Sequence, residues 1–398
     1  MVENFSDEPK LPDGWSLKVL PEELYFISGK AHEKHISDVG RYVVVNSKFI
    51  SSDGRVRKYS TNNFQPARRG DILMVMSDLP NGKALAKTFL VDKDKLYAVN
   101  QRVCILRART GFPEYFRYQL DRAKYFLSFD DGVQQTHLLN KVFEECPVIV
   151  PKSVEEQKAI ATALKDIDGL IALLDALIAK KRDIKQAAMQ QLLTGKTRLP
   201  GFKGAWQQVA LREIAEIDLE SLPSSTGPEW KLRYISLEDV ELGTLKGHTE
   251  LKFRDAPSRA RRRIVRGDIL FGTVRPNLQS HCIFDQAGAN WIASTGFSVI
   301  RCRSHAAVTS FVFHQIMTSG LTEQIERIIA GSNYPAVSSR DVAALTIPIP
   351  ALDEQNAISE VLDAMEHEIV VLNKRMSKAE CVREGMMQQL LTGRIRLV

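Results

Sequence analysis

Hydrophobic side chains recur at alternating steps of four and three residues in two separate parts of the chain. The positions are Ile160, Leu164, Ile167, Ile171, Leu174 and Ile178 in the first part, and Ile358, Leu362, Met365, Ile369, Leu372 and Met376 in the second. This spacing is that of the a and d positions of a heptad repeat, so each part predicts a coiled-coil helix that needs a partner helix. Ser153 followed by Glu156 predicts a capping box at the first helix start, and Gly195 is the glycine expected after its end. A helix of about 40 residues would be about 60 Å long.

The two helical segments are copies of one repeat. Glu156-Gln157 and Glu354-Gln355 open them, and Gln-Gln-Leu-Leu-Thr-Gly closes both at a constant offset of 198. Residues 156–199 and 354–397 are identical at 17 of 44 positions without a gap, where ordinary composition would give about three. A single heptad segment most often dimerises with another chain. Two matched segments separated by a globular one favour antiparallel pairing within one chain.

The stretch before each helix has the pattern of a β-rich domain. In the first stretch, β-branched and apolar runs such as 42–45, 71–76 and 103–106 alternate with Asp-Gly and Pro-Asn-Gly turns. A helix is expected from Pro113, because proline suits the first helical position. We therefore predict an α+β fold in four parts: a first domain at 1–150, a first spacer helix at 151–199, a second domain at 200–349 and a second spacer helix at 350–398.

The second domain repeats the plan of the first with different content. Arg-Gly-Asp-Ile-Leu occurs at 69–73 and again at 266–270, and we call these two segments the anchor strands. Pro200-Gly201-Phe202 leads into Trp206, much as Leu11-Pro12 leads into Trp15. Between these points the two domains differ. Two similar helices suit a chain that binds two copies of one partner, and two divergent domains suit a chain that reads two different targets. The internal pseudo-twofold symmetry of the chain also suits a binding target that itself has pseudo-twofold symmetry.

Composition and charge change this picture only slightly. The chain is 44% hydrophobic and 26% charged, with a formal net charge of +6. No apolar run reaches the length of a membrane helix and the N-terminus does not resemble a signal peptide, so we expect a cytoplasmic protein. Five cysteines without a Cys-x-x-Cys spacing favour buried thiols. Arginines cluster at 55–57 and 259–266, although a basic cluster alone is also typical of a solvated face.

The sequence contains no credible catalytic or metal centre. Gly195-Lys196-Thr197 imitates the end of a phosphate-binding loop, but Gln190 stands where that motif needs a glycine. Glu156-Gln157-Lys158 imitates part of a nuclease site, yet the second copy has Asn356 in place of the lysine. His32 and His35 have no companion pair at ligand spacing, so we expect no metal site.

These features together resemble the DNA specificity (S) subunit of type I restriction-modification systems. The resemblance rests on four features of the sequence: the two Glu-Gln-x-Ala-Ile helix starts, the two Gln-Gln-Leu-Leu-Thr-Gly helix ends, the Pro-Gly-Phe…Trp linker and the two Gly-Asp-Ile-Leu strands. The resemblance covers essentially the whole chain. It implies two target recognition domains that each read one part of a split double-stranded DNA sequence, held apart by an antiparallel pair of long helices.

The resemblance also implies partners and cofactors that lie outside this chain. Two methyltransferase subunits would supply S-adenosylmethionine and adenine N6 methylation, and restriction or motor subunits would supply ATP and magnesium chemistry. This chain would hold no cofactor and no active site. The alternatives are a structural coiled-coil adaptor without DNA recognition, and a fused methyltransferase. The missing Asn/Asp-Pro-Pro-Tyr/Phe motif argues against the fused enzyme.

Candidate DNA contacts are arginine, lysine, asparagine and glutamine side chains in loops beside the anchor strands, because these types make most phosphate and base contacts. In the first domain they are Arg55, Arg57, Lys58, Asn81, Lys83, Gln134 and Gln135. In the second domain they are Arg259, Arg261, Arg262, Arg275, Asn277, Gln279, Asn333 and Tyr334. Two placements recur: the loop after each anchor strand, and a pair of residues after Gly132 or Gly331.

Overall fold

The computed structural model describes residues 11–79, 82–241, 243–329 and 335–397, and the chain forms two compact units. One unit combines Met1–Asp175 with Arg375–Val398, and the other is Ala176–Lys374. Each unit takes its globular part from one continuous stretch of chain and adds a part of both repeated helices. The division between the units therefore falls inside the helices and not at their ends.

The first unit is built from small sheets followed by a long helix. Its elements are β1 (Trp15–Val19), α1 (Leu20–Glu23), β2 (Leu24–Ser28), β3 (Tyr42–Val45), α2 (Ser47–Ser51), β4 (Tyr59–Ser60), β5 (Ile72–Val75), β6 (Ser77–Asp78), β7 (Thr88–Leu90), β8 (Tyr97–Val99), β9 (Val103–Ala108), α3 (Pro113–Leu120), α4 (Lys124–Leu127), β10 (Thr136–His137), α5 (Asn140–Glu144), β11 (Pro147–Pro151) and the first part of α6 (Val154–Leu192). Strands β2, β9, β5 and β7 form one antiparallel sheet in that order. Strands β4, β3 and β8 form another, in which β3 and β8 are parallel. Two antiparallel pairs, β1 with β11 and β6 with β10, complete the unit.

The second unit begins and ends with the same elements as the first but differs between them. Its elements are β12 (Gln207–Ala210), α7 (Leu211–Ile214), β13 (Ala215–Ile217), β14 (Lys231–Ile235), β15 (Val240–Glu241), β16 (Thr244–Leu245), β17 (Thr249–Lys252), β18 (Ala260–Arg263), β19 (Ile269–Gly272), β20 (His281–Ile283), β21 (Trp291–Ser294), β22 (Phe297–Cys302), α8 (Thr309–Ile316), α9 (Ser319–Ile329), α10 (Ser339–Ala344), β23 (Thr346–Ile349) and the first part of α11 (Leu352–Leu390). Its sheets have the orders β13-β22-β19-β20 and β17-β14-β21-β18, with β12 paired to β23 and β15 to β16. Strands β14 and β21 are parallel, as β3 and β8 are in the first unit.

The two units thus share a topology that their differing sequences conceal. Both contain an antiparallel four-stranded sheet, a second sheet with one parallel pair, and an antiparallel pair of strands next to a long helix. The predicted helix at Pro113 is present as α3, and the expected runs at 42–45, 71–76 and 103–106 contain β3, β5 and β9. The predicted α+β fold, with two domains and two long antiparallel helices, is confirmed.

The anchor strands owe their recurrence to their position in the core. In β5, Ile72 and Met74 pack into one hydrophobic cluster, whereas Leu73 and Val75 pack into another on the opposite face. In β19, residues 269 and 271 pack into one cluster and residue 270 into another. A strand that is covered on both faces needs a continuous apolar run, and both anchor strands have one.

The aspartate in each anchor segment is structural. Asp71 accepts the Arg68 N–H at 2.7 Å and forms a two-armed ion pair with Arg107 of β9, at 2.7 and 2.8 Å. Asp268 accepts the Val265 N–H at 2.9 Å and pairs in the same way with Arg301 of β22. Each aspartate is 1% exposed. The carboxylate therefore fixes the turn that leads into the strand and joins it to the neighbouring strand.

Helices α6 and α11 pair antiparallel in both units. In the first unit Asp168 forms an ion pair with Arg383. In the second unit Lys181 lies 2.7 Å from Glu368, and Lys185 pairs with Glu366. All twelve stripe positions are buried or half-buried. The prediction of antiparallel pairing within one chain is therefore confirmed.

The helix ends are only partly as predicted. Ser153 Oγ accepts the Glu156 N–H at 3.3 Å, which is half of a capping box. The other half is wrong, because the Glu156 carboxylate forms an ion pair with Arg396 and does not reach back to the helix start. Gly195 and Gly393 have left-handed φ values of 67° and 72° shortly after the two helices end. Glycine tolerates this conformation, as expected for a helix terminator.

Candidate nucleic-acid interface

In both units, the loop after the anchor strand pairs with residues that follow the second recurring placement along the chain. In the first unit, β6 follows the anchor strand β5 and pairs antiparallel with β10, which lies a few residues after Gly132. In the second unit, Val274 forms a β-bridge with Ala336, and the Arg275 N–H donates to the Pro335 carbonyl at 2.8 Å. The described residues next to the predicted loops are therefore joined at similar places in two domains of different sequence.

In the first unit this junction is fixed by one carboxylate. Asp78 accepts hydrogen bonds from the Ala84 N–H at 2.7 Å and the Leu85 N–H at 3.2 Å. Lys83, one of the predicted contacts, is exposed in the loop that these bonds close. Asn81, another predicted contact, lies outside the described residues. These bonds to Asp78 hold the described part of the loop beside β6.

The predicted glutamines line two clefts at the same junction. Gln135 Nε2 donates to Ser77 Oγ at 2.9 Å, and Gln134 is exposed beside it. One cleft of about 500 Å³ is lined by Phe129, Asp131, Gln134, Gln135, Thr136, His137, Leu139, Lys141, Val142 and Glu145. A second of about 450 Å³ is lined by Ser77, Gln101, Arg102, Gln135 and His137. The polar side chains in these mixed linings are of the types that pair with base edges.

Gln101, Arg102 and His137 were missed by the sequence argument. Gln101 and Arg102 lie in the turn between β8 and β9, more than thirty positions before Gln135, and only strand pairing brings them together. His137 belongs to β10, directly after the predicted glutamine pair. The proximity of His137 to that pair along the chain was the one available signal.

Arg55, Arg57 and Lys58 lie between α2 and β4 and are exposed. Arg55 Nε donates to the Ser52 carbonyl at 3.0 Å, and Arg57 Nε donates to the Gly54 carbonyl at 2.8 Å. Both guanidinium groups therefore stabilise the turn, in which Asp53 and Gly54 have left-handed φ values of 50° and 75°. Their outer N–H groups remain available, so their prediction as phosphate contacts stays open to test.

The three arginines around β18 have three different surroundings. Arg259 precedes the strand and is exposed. Arg261 lies over the Phe253 ring at 5.1 Å from its centroid and donates to the Ala260 carbonyl at 2.8 Å. Arg262 lies 2.9 Å from the buried carboxylate of Asp218. Of the three, Arg259 has the most accessible charge and Arg262 is the most involved in the fold.

The loop between β19 and β20 carries three more predicted contacts. Arg275 and Asn277 are exposed and Gln279 is half-buried, around the 3-10 turn Pro276–Leu278. The buried His281 accepts the Gly272 N–H at 3.0 Å and stacks on Phe271 with ring centroids 4.2 Å apart. Burial lowers the pKa of His281 to about 4, so the ring is neutral and can accept this bond. Asn333 and Tyr334 lie outside the described residues.

A cleft of about 610 Å³ in the second unit is a weaker candidate. It lies along β14 and β17 and includes Lys231, Arg233, Lys252 and Arg254. Acidic neighbours offset much of this charge: Lys252 is 2.8 Å from Glu229, and Arg233 is 3.6 Å from Glu250. A phosphate group would have to compete with these carboxylates.

The structure also locates the histidines considered for metal binding. Both ring nitrogens of the buried His32 are engaged, with Nδ1 2.6 Å from the Lys30 carbonyl and Nε2 accepting the Phe64 N–H at 3.0 Å. No group of three or more histidine, cysteine, aspartate or glutamate residues in the described ranges could hold a metal ion.

In that same part of the chain, no helix combines the length and apolar character that crossing a membrane requires.

Comparison with known proteins identifies the same architecture. The pattern of the type I restriction modification DNA specificity domain matches twice, at residues 12–180 and 204–380. The type I restriction enzyme MjaVIII specificity subunit of Methanocaldococcus jannaschii is 23% identical over 429 residues, which cover 99% of this chain and 96% of that one.

Solved structures share the fold. The crystal structure of a type I restriction-modification S subunit from M. genitalium has a TM-score of 0.64 at 15% identity and covers 96% of this chain and 97% of that chain. A chain from a study of complex assembly and conformational transition of the type I R-M system has a TM-score of 0.55 at 18% identity, over 98% of this chain and 100% of that chain.

Proposed function

The chain belongs to the type I restriction modification DNA specificity family, and from that premise we propose that it is the DNA-reading subunit of a type I restriction-modification complex. The domain at 1–150 would read one part of a split DNA target and the domain at 200–349 the other part. The helical segments 151–199 and 350–398 would be the spacers between the two domains.

The observation that carries this proposal is the duplicated junction of loops. Both units pair the loop after the anchor strand with the segment after Gly132 or Gly331. Both anchor strands begin with a buried Ile-Leu pair, whereas the exposed side chains beside them differ, with Gln134 and Lys83 in one unit and Arg275 in the other. A common scaffold with different exposed polar groups suits two readers of different sequences.

The repeated helices supply an argument about partners. Gln190 of α6 and Gln388 of α11 are identical, equivalent and exposed, so packing of the fold does not explain why both are glutamine. The same exposed surface presented twice suits two copies of one partner. We propose that these partners are two methyltransferase subunits that bind S-adenosylmethionine, and that restriction or motor subunits using ATP and magnesium join the complex.

We further propose that the chain has no catalytic activity of its own. The assay is turnover of S-adenosylmethionine, and cleavage of DNA, by the purified chain with and without its methyltransferase partner. We expect activity only in the complex. Turnover by the chain alone that rises in proportion to its concentration would overturn this proposal.

A gel shift across a range of salt concentrations separates DNA reading from a purely structural adaptor. A protein that neutralises six or more phosphates loses about a thousandfold in affinity between 50 and 200 mM salt. We expect a steep loss for the complex on duplex DNA. Mapping of methylated adenines in a host that carries the system then gives the target, and a continuous sequence without two separate parts would contradict the two-reader proposal.

A further inference from the structure

The loop between β19 and β20 exposes a leucine at its tip. Leu278 is 58% exposed, and its neighbour Asn277 is exposed as well. Among the described residues, Asn277 makes no side-chain hydrogen bond and Leu278 belongs to none of the hydrophobic clusters. A single exposed leucine is common on protein surfaces, so exposure alone carries no conclusion. A second observation is the backbone geometry of the loop.

The backbone holds these two side chains in place. Arg275 and Gln279 flank the 3-10 turn with left-handed φ values of 49° and 51°. Side chains other than glycine adopt this region rarely, and mainly where the surroundings fix the backbone. Here the Arg275 N–H is bound to the Pro335 carbonyl, and His281 holds Gly272 at the end of β19. A rigid loop that presents polar and apolar groups loses little entropy on binding.

The first unit has a related loop at the equivalent place. Leu79 follows β6 and is 68% exposed, and its N–H donates to Asp78 Oδ1 at 2.9 Å. The sequence Pro-Asn occurs in both loops, at 80–81 and at 276–277. The first of these dipeptides lies outside the described residues. The order of these residues differs, with Leu-Pro-Asn at 79–81 and Pro-Asn-Leu at 276–278, but an exposed leucine follows the anchor strand in both units.

The chemistry of this pair of side chains matches one base pair. In the major groove, the amide of asparagine fits N6 and N7 of adenine, and an apolar side chain contacts the methyl group of thymine. We propose that Asn277 and Leu278 together read one A·T pair in the half of the target that the second domain recognises. This inference rests on the proposed function and names the base pair that the loop selects.

The test uses duplexes that carry the mapped target and the chain in complex with its methyltransferase partner. Each thymine in the two halves is replaced in turn by uracil, which lacks only the methyl group. At one position we expect binding to weaken about fourfold, the factor that corresponds to burial of one methyl group. Leu278→Ala should lose the same factor on thymine and show no further loss on uracil. Replacing the paired adenine by 7-deazaadenine should weaken the wild type but not Asn277→Ala.

Leu219→Ala is the matched control, because Leu219 is 55% exposed in the same unit outside the loop. It should keep the uracil effect. The inference is overturned if no thymine position distinguishes wild type from Leu278→Ala. It is also overturned if Leu278→Ala changes only the fluorescence of 2-aminopurine in the duplex, since that result would indicate an unstacking wedge. Failure of the proposed function looks different: the methylation map would then contain no split target at all.

Discussion

Arg396, near the end of the chain, forms a two-armed ion pair with Glu156 at the start of α6. Arg396 Nη2 lies 2.8 Å from Glu156 Oε2, and the glutamate is only 1% exposed. Arg198 holds Glu354 at the start of α11 in the same way, with Nη2 2.6 Å from Oε2. In each unit, the arginine that follows the end of one helix thus neutralises the buried carboxylate at the start of the other.

We predict that Arg396→Met and Arg198→Met each lower the melting temperature of the protein, because each leaves a buried carboxylate without its cation. Lysine at either position should restore only part of the loss, since an ammonium group cannot make the two-armed contact. Arg394→Met is the control, because Arg394 is exposed and adjacent. Thermal unfolding, monitored by circular dichroism, measures the melting temperature of each variant. Equal melting temperatures for Arg396→Met and Arg394→Met would exclude a stabilising role of the ion pair.

The stripe of α6 supports a second prediction. Leu164 is fully buried and Leu173 is 71% exposed, although both are leucines of the same helix. Leu164→Ala should cost about 2–5 kcal/mol of unfolding free energy, and Leu173→Ala less than about 0.5 kcal/mol. Charged residues at both Ile171 and Leu174 should abolish folding and assembly together. Urea unfolding measures the single variants, and a soluble, DNA-competent double variant would count against helix pairing as the source of stability.

The sequence was sufficient to predict the long helices, because a hydrophobic stripe over about 40 residues is a local signal that repeats many times. It was not sufficient for the role of Glu156. Local spacing suggested a capping box, whereas the partner of this carboxylate is an arginine 240 positions away. Such a pairing exists only after the fold brings the two positions together.

The candidate interface also has a part that the sequence predicts and a part that it does not. The recurrence of two loop placements selected these residues as candidates but gave no sign that the placements are neighbours, and in the first unit the pairing of β6 with β10 joins the segments beside them. The contribution of Gln101 and Arg102 to the neighbouring cleft could not be predicted, since it depends on how β8 and β9 turn beside β5. Strand pairing between distant segments has no signature in the spacing of residues along one strand.

The buried His281 predicts a dependence of stability on pH. Burial lowers its pKa from 6.5 to about 4, so the folded protein keeps the ring neutral while the unfolded chain takes up a proton. The unfolded state then binds more protons between these values, and stability falls as the pH decreases from about 6.5 to about 4, by about 3 kcal/mol. His281→Asn retains an acceptor but cannot titrate. The difference in unfolding free energy between wild type and variant should change across this window and stay constant above it, and a constant difference throughout would contradict the prediction.

The arginines around β18 should separate into a DNA contact and a structural residue. Arg259→Ala should weaken binding to all DNA sequences alike and reduce the slope of log affinity against log salt by about 1, with unchanged stability. Arg262→Ala should instead lower the unfolding free energy by about 2 kcal/mol, because it removes the cation beside Asp218. Salt titrations of binding and urea unfolding on both variants test this. If Arg262→Ala reduced the salt dependence of binding and Arg259→Ala lowered stability, Arg262 and not Arg259 would be the DNA contact.

The last prediction assigns each domain to one half of the target. Arg275→Ala and Asn277→Ala change side chains on the loop of the second unit, and Lys83→Ala changes the loop of the first. Asn81→Ala belongs with Lys83 by its place in the sequence. Because each loop is attached to its own sheet, a change in one should not alter what the other contacts.

We therefore expect Arg275→Ala and Asn277→Ala to relax or shift only one half of the mapped methylation target. Lys83→Ala and Asn81→Ala should change only the other half, and each lost base contact should cost about 1–3 kcal/mol. Methylation mapping of all four variants measures this directly. Unchanged specificity and affinity in all four would remove these loops from the DNA interface, and a change in both halves by a single variant would show that the two domains do not read DNA independently.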